Sequence, residues 1–117
     1  MKELEALGMT GDSERVVELT EKNFDEFLSR NKVVLVDFWA GWCMPCQIQG
    51  RMINGKIDDM PPGAFVGKVD VDRHPSIARR FNVRGIPQMY LFVNGKPVKG
   101  WTGVTPVSEL FGEMAKH

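Results

Sequence analysis

Cys43 and Cys46 have two residues between them and are the only cysteines in the chain. Two thiols at this spacing can close a disulfide and open it again, so their chemistry is two-electron exchange with other thiols and disulfides. At the start of a helix, unpaired main-chain N–H groups and the helix dipole favour a thiolate on Cys43, which predicts that Cys43 is the nucleophile. Cys46, one helical turn further on, is then the resolving thiol, and we expect it to be more shielded from solvent.

A buried strand and a helix must position these cysteines. Residues 33–39 are apolar except for Asp37, which is typical of a strand covered on both faces. The following residues predict a helix from Cys43 to about Met60, where two prolines end it. Its apolar residues fall on one broad side and are Ile48, Met52, Ile53, Ile57 and Met60.

The rest of the chain alternates between strand and helix patterns. Thr20 is predicted to cap a first helix, and Asn94-Gly95 predicts a tight hairpin between the last two strands. The predicted strands besides 33–39 are 16–19, 64–71, 89–93 and 98–102, and the other helices are 20–28, 75–81 and 106–116. The order βαβαβαββα predicts an α/β fold, with a central mixed β-sheet of about five strands flanked by about four helices.

Length and composition favour one domain in a reducing compartment. The 117 residues suffice for a single core, so we divide the chain into an N-terminal extension, residues 1–14, and a domain, residues 15–117.

Fifteen basic residues balance fifteen acidic ones, which argues against binding to nucleic acid or to a membrane surface. We interpret the basic stretch between Arg73 and Arg84 as a solvated face. No signal peptide is evident, so we expect a cytoplasmic protein with reactive rather than structural cysteines.

An ordered set of motifs resembles the thioredoxin family from about Val16 to Ala115. The matching segments are Val36-Asp37-Phe38-Trp39-Ala40, Trp42-Cys43-Met44-Pro45-Cys46, Lys68-Val69-Asp70-Val71-Asp72, Arg84-Gly85-Ile86-Pro87 and Asn94-Gly95. The resemblance implies the thioredoxin fold and reduction of disulfides in other proteins through a mixed disulfide. Met44 departs from the usual glycine, which leaves the reduction potential open. Gly50 and Arg51 stand where the family has a small residue and a proline, so the helix is either less rigid or kinked at Gly50.

The resemblance also assigns roles to other residues. Asp37 matches the family's buried acid, which accepts a proton from Cys46, although a strand carboxylate satisfied by local hydrogen bonds is the simpler interpretation. Lys68 matches the lysine that tunes this acid.

The expected substrate-binding residues surround the nucleophile. Pro87 aligns with the family's cis-proline, which lets the backbone of Ile86 pair with an extended substrate. The full predicted set is Trp42, Met44, Pro45, Ile86, Pro87 and Gly103. Phe38 and Trp39 are interpreted as core, and Trp101 fits either core or surface.

The expected partners follow from the same resemblance. They are disulfide-containing protein substrates and, as electron donor, a flavin-dependent thioredoxin reductase. The chain has no nucleotide-binding motif, so we expect no cofactor of its own, and we expect a monomer.

Three alternatives remain open. A zinc site lacks ligands at the usual spacings, since only His74 and His117 could join the cysteines. A binding module with dispensable cysteines is compatible with this fold but need not retain Asp37, both cysteines and Pro87. An oxidase or isomerase would use the same residues, and the absence of a signal peptide argues against it.

Overall fold

Within residues 14–117, five strands and four α-helices follow one another along the chain. The structure is a computed structural model that describes residues 14–117, so most of the predicted extension lies outside the described residues. The strands are β1 Val16–Glu18, β2 Val33–Trp39, β3 Phe65–Asp70, β4 Gln88–Val93 and β5 Lys96–Thr102. The helices are α1 Phe24–Arg30, α2 Met44–Gly55, α3 Pro75–Arg80 and α4 Val107–Met114. The predicted α/β fold and its order βαβαβαββα are confirmed.

The strands form one mixed sheet with β2 at its centre. Their order is β1-β3-β2-β4-β5, in which β1, β3 and β2 run parallel while β4 and β5 are antiparallel to their neighbours. Six of the seven residues of β2 are buried. A strand with neighbours on both edges and helices on both faces has no contact with water, which explains its almost continuous apolar sequence.

Each face of the sheet carries its own apolar core. Helices α2 and α4 cover one face, where Ile53 and Leu110 pack with Leu35 of β2. Helices α1 and α3 cover the other, where Phe24 packs with Val36. Successive side chains of a strand point to opposite faces, so β2 contributes to both cores.

The hairpin between β4 and β5 has the predicted tight turn. Asn94 and Gly95 have φ angles of 52° and 81°. Both angles are positive, as a type I′ turn requires, and this turn matches the natural twist of two antiparallel strands.

Two helix boundaries differ from the prediction. Thr20 does not cap α1, because the helix begins at Phe24 and the Thr20 side chain instead accepts a bond from the N–H of Lys22, 3.1 Å away, within the preceding turn. The predicted helix 43–60 is also interrupted. It ends at Gly55, and a separate 3₁₀ turn, Ile57–Asp59, follows. Glycine is a weak helix former, so the helix terminates before the prolines are reached.

Trp101 belongs to the core. It is 8% exposed, and its indole N–H donates to Glu109 Oε2 at 2.9 Å. Phe38 is fully buried and meets Tyr90 edge to face, as expected for a core aromatic.

Candidate active site

Cys43 and Cys46 lie at the start of α2, directly beyond the end of β2. Cys43 is the N-cap residue of the helix, and the main-chain N–H of Cys46 donates to its Sγ at 3.2 Å. The two cysteines are joined in a disulfide, with their Cα atoms 5.2 Å apart. Pro45 occupies the first turn, where its missing N–H has no helical partner to lose. The helix N-terminus therefore faces Cys43 Sγ, in the arrangement that stabilises negative charge there.

The cysteines are buried and their neighbours are exposed. Cys46 is the less exposed of the pair, as expected, but the margin is small, at 2% against 4% for Cys43. Trp42 is 72% exposed and Met44 is 62% exposed. The outer surface beside the disulfide is therefore made by two large apolar side chains.

Trp42 is held in one orientation despite its exposure. Its indole N–H donates to Asp72 Oδ2 at 2.8 Å, and Asp72 follows the end of β3. A hydrogen bond to a carboxylate limits rotation of the ring, so the indole presents a fixed apolar surface next to Cys43.

Two loops lie close to Cys43. The peptide bond between Ile86 and Pro87 is cis, as the resemblance implied, and the Ile86 carbonyl oxygen lies 3.9 Å from Cys43 Sγ. The N–H of Gly103 donates to the Pro87 carbonyl at 2.8 Å. Gly103 has a φ of 88°, which a residue with a side chain rarely adopts. The structure thus brings Ile86, Pro87 and Gly103 together beside Cys43.

Asp37 is a buried acid in the middle of the sheet. It lies on β2 opposite Lys68 of β3 and Met89 of β4, and only 1% of it is exposed. Its Oδ1 has no hydrogen-bond partner. Burial raises the pKa of Asp37 to about 6, and the positive charge of Lys68 opposes that rise. The simpler interpretation, a carboxylate satisfied by local hydrogen bonds, does not describe this oxygen.

Lys68 connects Asp37 to the region behind Cys46. Its Nζ lies 4.4 Å from the centre of the half-buried Trp39 ring. Lys68, Trp39, Cys46 and Gly50 line one cavity of about 210 Å³. This open space reaches both Cys46 and Lys68, the residue opposite Asp37, so water has access to this part of the site.

Gln49 is a buried polar residue near the cysteines on α2 that the sequence interpretation missed. It is fully buried on α2, and its amide makes two hydrogen bonds with the main chain of Thr105. Ile48, which was predicted on the apolar side, is instead 42% exposed. The signal was present, because Gln49 follows Cys46 by three residues and precedes Ile53 by four, which places all three on one stripe of the helix.

Two residues of the basic stretch between Arg73 and Arg84 form surface pairs with acidic side chains. Arg80 donates to both carboxylate oxygens of Asp25, at 3.0 and 2.8 Å. His74 Nδ1 lies 2.6 Å from Glu21 Oε1. Within residues 14–117, no three His, Cys, Asp or Glu residues are grouped as a metal site requires. None of the helices in this same range is long and apolar enough to cross a membrane.

A redox-active cysteine pair at a helix start, beside a cis-proline on a mixed five-stranded sheet, defines a thiol–disulfide oxidoreductase. The thioredoxin family model matches residues 15–116. The chain therefore belongs to the thioredoxin family and is a protein-disulfide reductase of that type.

Individual relatives agree with this assignment. The chain is 40% identical to a thioredoxin of Chlorobaculum thiosulfatiphilum, over 86% of this chain and 94% of the relative. It is 38% identical to a thioredoxin of Staphylococcus haemolyticus, over 87% and 97% of the two chains. The solved structure of a mutant thioredoxin from Halobacterium salinarum superposes with a TM-score of 0.80, at 30% identity, and covers 92% of this chain and 94% of the other.

Proposed function

We propose that the chain reduces disulfides of other proteins in two exchange steps. The Cys43 thiolate attacks a substrate disulfide, which forms a Cys43–substrate bond and releases one substrate thiolate to be protonated by water. The Cys46 thiolate then attacks Cys43 Sγ, which closes the Cys43–Cys46 disulfide and releases the second substrate thiolate. The dithiol loses the two electrons that the substrate gains.

The position of Cys43 at the helix N-terminus carries this proposal. The N–H of Cys46 donates to Cys43 Sγ at 3.2 Å, which favours the thiolate form of Cys43. The exposed Trp42 and Met44 lie on either side of Cys43 in the sequence, so a substrate disulfide meets an apolar surface at the nucleophile.

Asp37 serves as the proton acceptor for Cys46. A carboxylate whose pKa is raised to about 6 by burial takes up a proton near neutral pH, and its free Oδ1 has no competing hydrogen bond. Lys68 opposes the rise in the pKa of Asp37 and lines the cavity that reaches Cys46. We assign Lys68 the role of tuning this acid.

The substrate lies as an extended segment across the rim formed by Trp42, Met44, Pro45, Ile86, Pro87 and Gly103. The carbonyl of Ile86, 3.9 Å from Cys43 Sγ, places a main-chain acceptor next to the nucleophile. An extended peptide that pairs with this main chain needs no particular side chains, so the substrates are exposed disulfides of varied sequence.

The disulfide formed in each cycle must be reduced by a donor. The chain itself has no nucleotide-binding motif. We assign a flavin-dependent thioredoxin reductase as the donor and propose a monomer that works in the cytoplasm.

A trapping experiment tests the order of the two steps. Cys46→Ser removes the resolving thiol, so the variant should accumulate a covalent adduct with a disulfide-containing protein that thiol reductants release, visible by mass spectrometry. Cys43→Ser is the matched control and should form no adduct. Adducts that form through Cys46 in the Cys43→Ser variant, and not through Cys43, would reverse the assigned roles.

The reduction potential tests the direction of exchange with Met44 in the motif. Titration against a thiol–disulfide buffer should give a value near that of a reductant, about −270 mV. A value between about −180 and −120 mV would mean that the protein donates disulfides, as isomerases and oxidases do.

A further inference from the structure

Gln49 is a fully buried amide on the helix that carries the cysteines. An amide that leaves water for a protein interior must recover its hydrogen bonds there. Gln49 recovers them from one residue: its Oε1 accepts from the N–H of Thr105 at 2.7 Å, and its Nε2 donates to the Thr105 carbonyl at 3.1 Å. We call these two bonds the Gln49 clamp.

The clamp fixes a segment that belongs to neither a strand nor a helix. Residues 103–106 lie between the end of β5 and the start of α4. Irregular segments lack the hydrogen-bond ladders that fix strands and helices, so their position depends on single contacts. The clamp supplies such a contact at Thr105, next to Val104, which is 45% exposed.

The same segment is linked to the cis-proline loop. Thr105 Oγ1 donates to the Gly103 carbonyl at 3.0 Å, and the Gly103 N–H donates to the Pro87 carbonyl at 2.8 Å. The Ile86 carbonyl in turn lies 3.9 Å from Cys43 Sγ. A continuous series of contacts therefore connects Gln49 on α2 with Thr105, Gly103 and the cis-proline loop. The last contact in this series is with Cys43, at the start of the same helix.

We propose that Gln49 is a positioning residue for protein substrates. The clamp fixes residues 103–105 relative to Cys43, so the rim is already formed when an extended substrate segment arrives. A preformed rim binds more tightly, because no loop has to be ordered on binding. This inference rests on the proposed function, in which Gly103 belongs to the substrate rim.

The clamp acts on large substrates and not on the disulfide chemistry itself. Gln49 touches neither sulfur in the described hydrogen bonds, which join it to Thr105. A small disulfide that reaches Cys43 without lying across the rim should therefore react independently of the clamp. The difference between a protein disulfide and a small disulfide separates positioning from a general structural role.

The test compares the wild type with Gln49→Leu, which keeps a similar volume and removes both hydrogen bonds. With insulin as the protein disulfide, KM should rise roughly fivefold to tenfold with little change in kcat, because residues 103–105 then have to be ordered when the substrate binds. With cystamine as the small disulfide, kcat/KM should stay within about twofold of the wild type. Gln47→Leu on the same helix is the matched control, since the Gln47 amide donates to Gly41 and not to residues 103–105.

A second variant and a hydrogen-exchange measurement test the role of Gln49 independently of how well the leucine variant folds. Gln49→Met should show the same KM effect if the leucine variant folds poorly. Amide hydrogen exchange at Gly103 and Thr105 should accelerate in either variant and stay unchanged in Gln47→Leu.

An unchanged KM for insulin, or an equal loss with insulin and cystamine, would overturn the role of Gln49. Failure of the wild type to reduce insulin, with cystamine still reduced, would instead overturn the proposed function and this role with it.

Discussion

Asp37 combines deep burial with an oxygen that lacks a partner. Among the described residues, its Oδ1 is the one buried side-chain oxygen or nitrogen without a hydrogen bond. A carboxylate in this position loses its hydration, and Lys68 on the next strand compensates only in part, so the pKa of Asp37 rises to about 6. The protein thus keeps a group that lowers its own stability at neutral pH, which fits a residue retained for chemistry.

Asp37→Asn should stabilise the protein at neutral pH and not in acid. The folded pKa of about 6 lies above the ordinary value of 3.8, so between these values the folded state binds a proton that the unfolded state has lost. Stability therefore falls as the pH rises through this range, by up to about 3 kcal/mol. Urea unfolding at pH 8 should show most of this gain for the variant, and unfolding at pH 4 little of it. A gain that does not depend on pH would contradict the shifted pKa.

The same substitution should slow the release of substrate. In its proposed role Asp37 can accept a proton only when ionised, so in the wild type the resolving step should accelerate as the pH rises through about 6. Asp37→Asn lacks the acceptor, and its release rate at pH 7 should fall roughly tenfold or more. Single-turnover release of a protein from its mixed disulfide with Cys43 measures this step directly. Equal rates for variant and wild type across neutral pH would exclude the proton-acceptor role.

The sequence predicted short local motifs more accurately than it predicted the ends of the helices. The cysteine motif and Asn94-Gly95 were predictable because each combines a residue type with a local geometry, whereas the cis bond before Pro87 followed only from the family resemblance. The end of α2 at Gly55 was not, since it depends on competition between weak helix formers and the turn that follows. Gln49 was not included because only apolar residues were assigned to the buried side of the helix, although its spacing places it on the buried stripe.

The first helix illustrates a similar competition. Thr20 was a plausible N-cap, but the Asn23 side chain accepts from the N–H of Thr20 at 2.7 Å and forms the turn that precedes α1. Two residues able to form local side-chain bonds stood close together, and sequence alone does not decide between them.

Gly112→Ala in α4 should stabilise the protein by about 0.5 to 1 kcal/mol. Gly112 is an exposed position in the middle of the helix, and an added Cβ would meet nothing within 4 Å. Gly67→Ala in β3 is the contrasting control, because its Cβ would collide with Cδ1 of Leu19 and should destabilise by about 1 to 3 kcal/mol. Denaturant unfolding of both variants in the oxidised form provides the comparison, and a loss of stability in Gly112→Ala would contradict the prediction.

In the whole molecule, the cysteines and the start of the domain lie near opposite ends of the central strand β2. β2 runs from Val33 to Trp39, so its two ends are roughly 20 Å apart at the usual rise per residue. The cysteines follow its carboxyl end. Arg15, which precedes β1, donates to the carbonyls of Pro61 and Ala64 at 2.7 and 2.9 Å.

Removal of residues 1–13 should leave both the fold and turnover intact. The thioredoxin family model matches residues 15–116, so the matched domain begins after these thirteen residues. The truncated protein should keep the melting temperature and the insulin-reduction rate of the full chain. Adding Arg15→Ala to the truncation is the contrasting variant, since loss of its hydrogen bonds should lower stability by about 1 to 2 kcal/mol. A large loss on truncation alone would show that the domain boundary lies further upstream.

The contacts of Arg15 also indicate where the connectivity of the chain can be changed. Pro61 and Ala64, whose carbonyls bind Arg15, line the same cavity as Met114 and His117 at the other terminus. This cavity also includes Val33, at the end of β2 remote from the cysteines. Arg15, at the start of the described domain, and the C-terminal residues are therefore neighbours at the end of β2 remote from the dithiol. A short linker can join them in a circular permutant, and the whole domain can be inserted into a loop of a host protein with its redox face pointing outward.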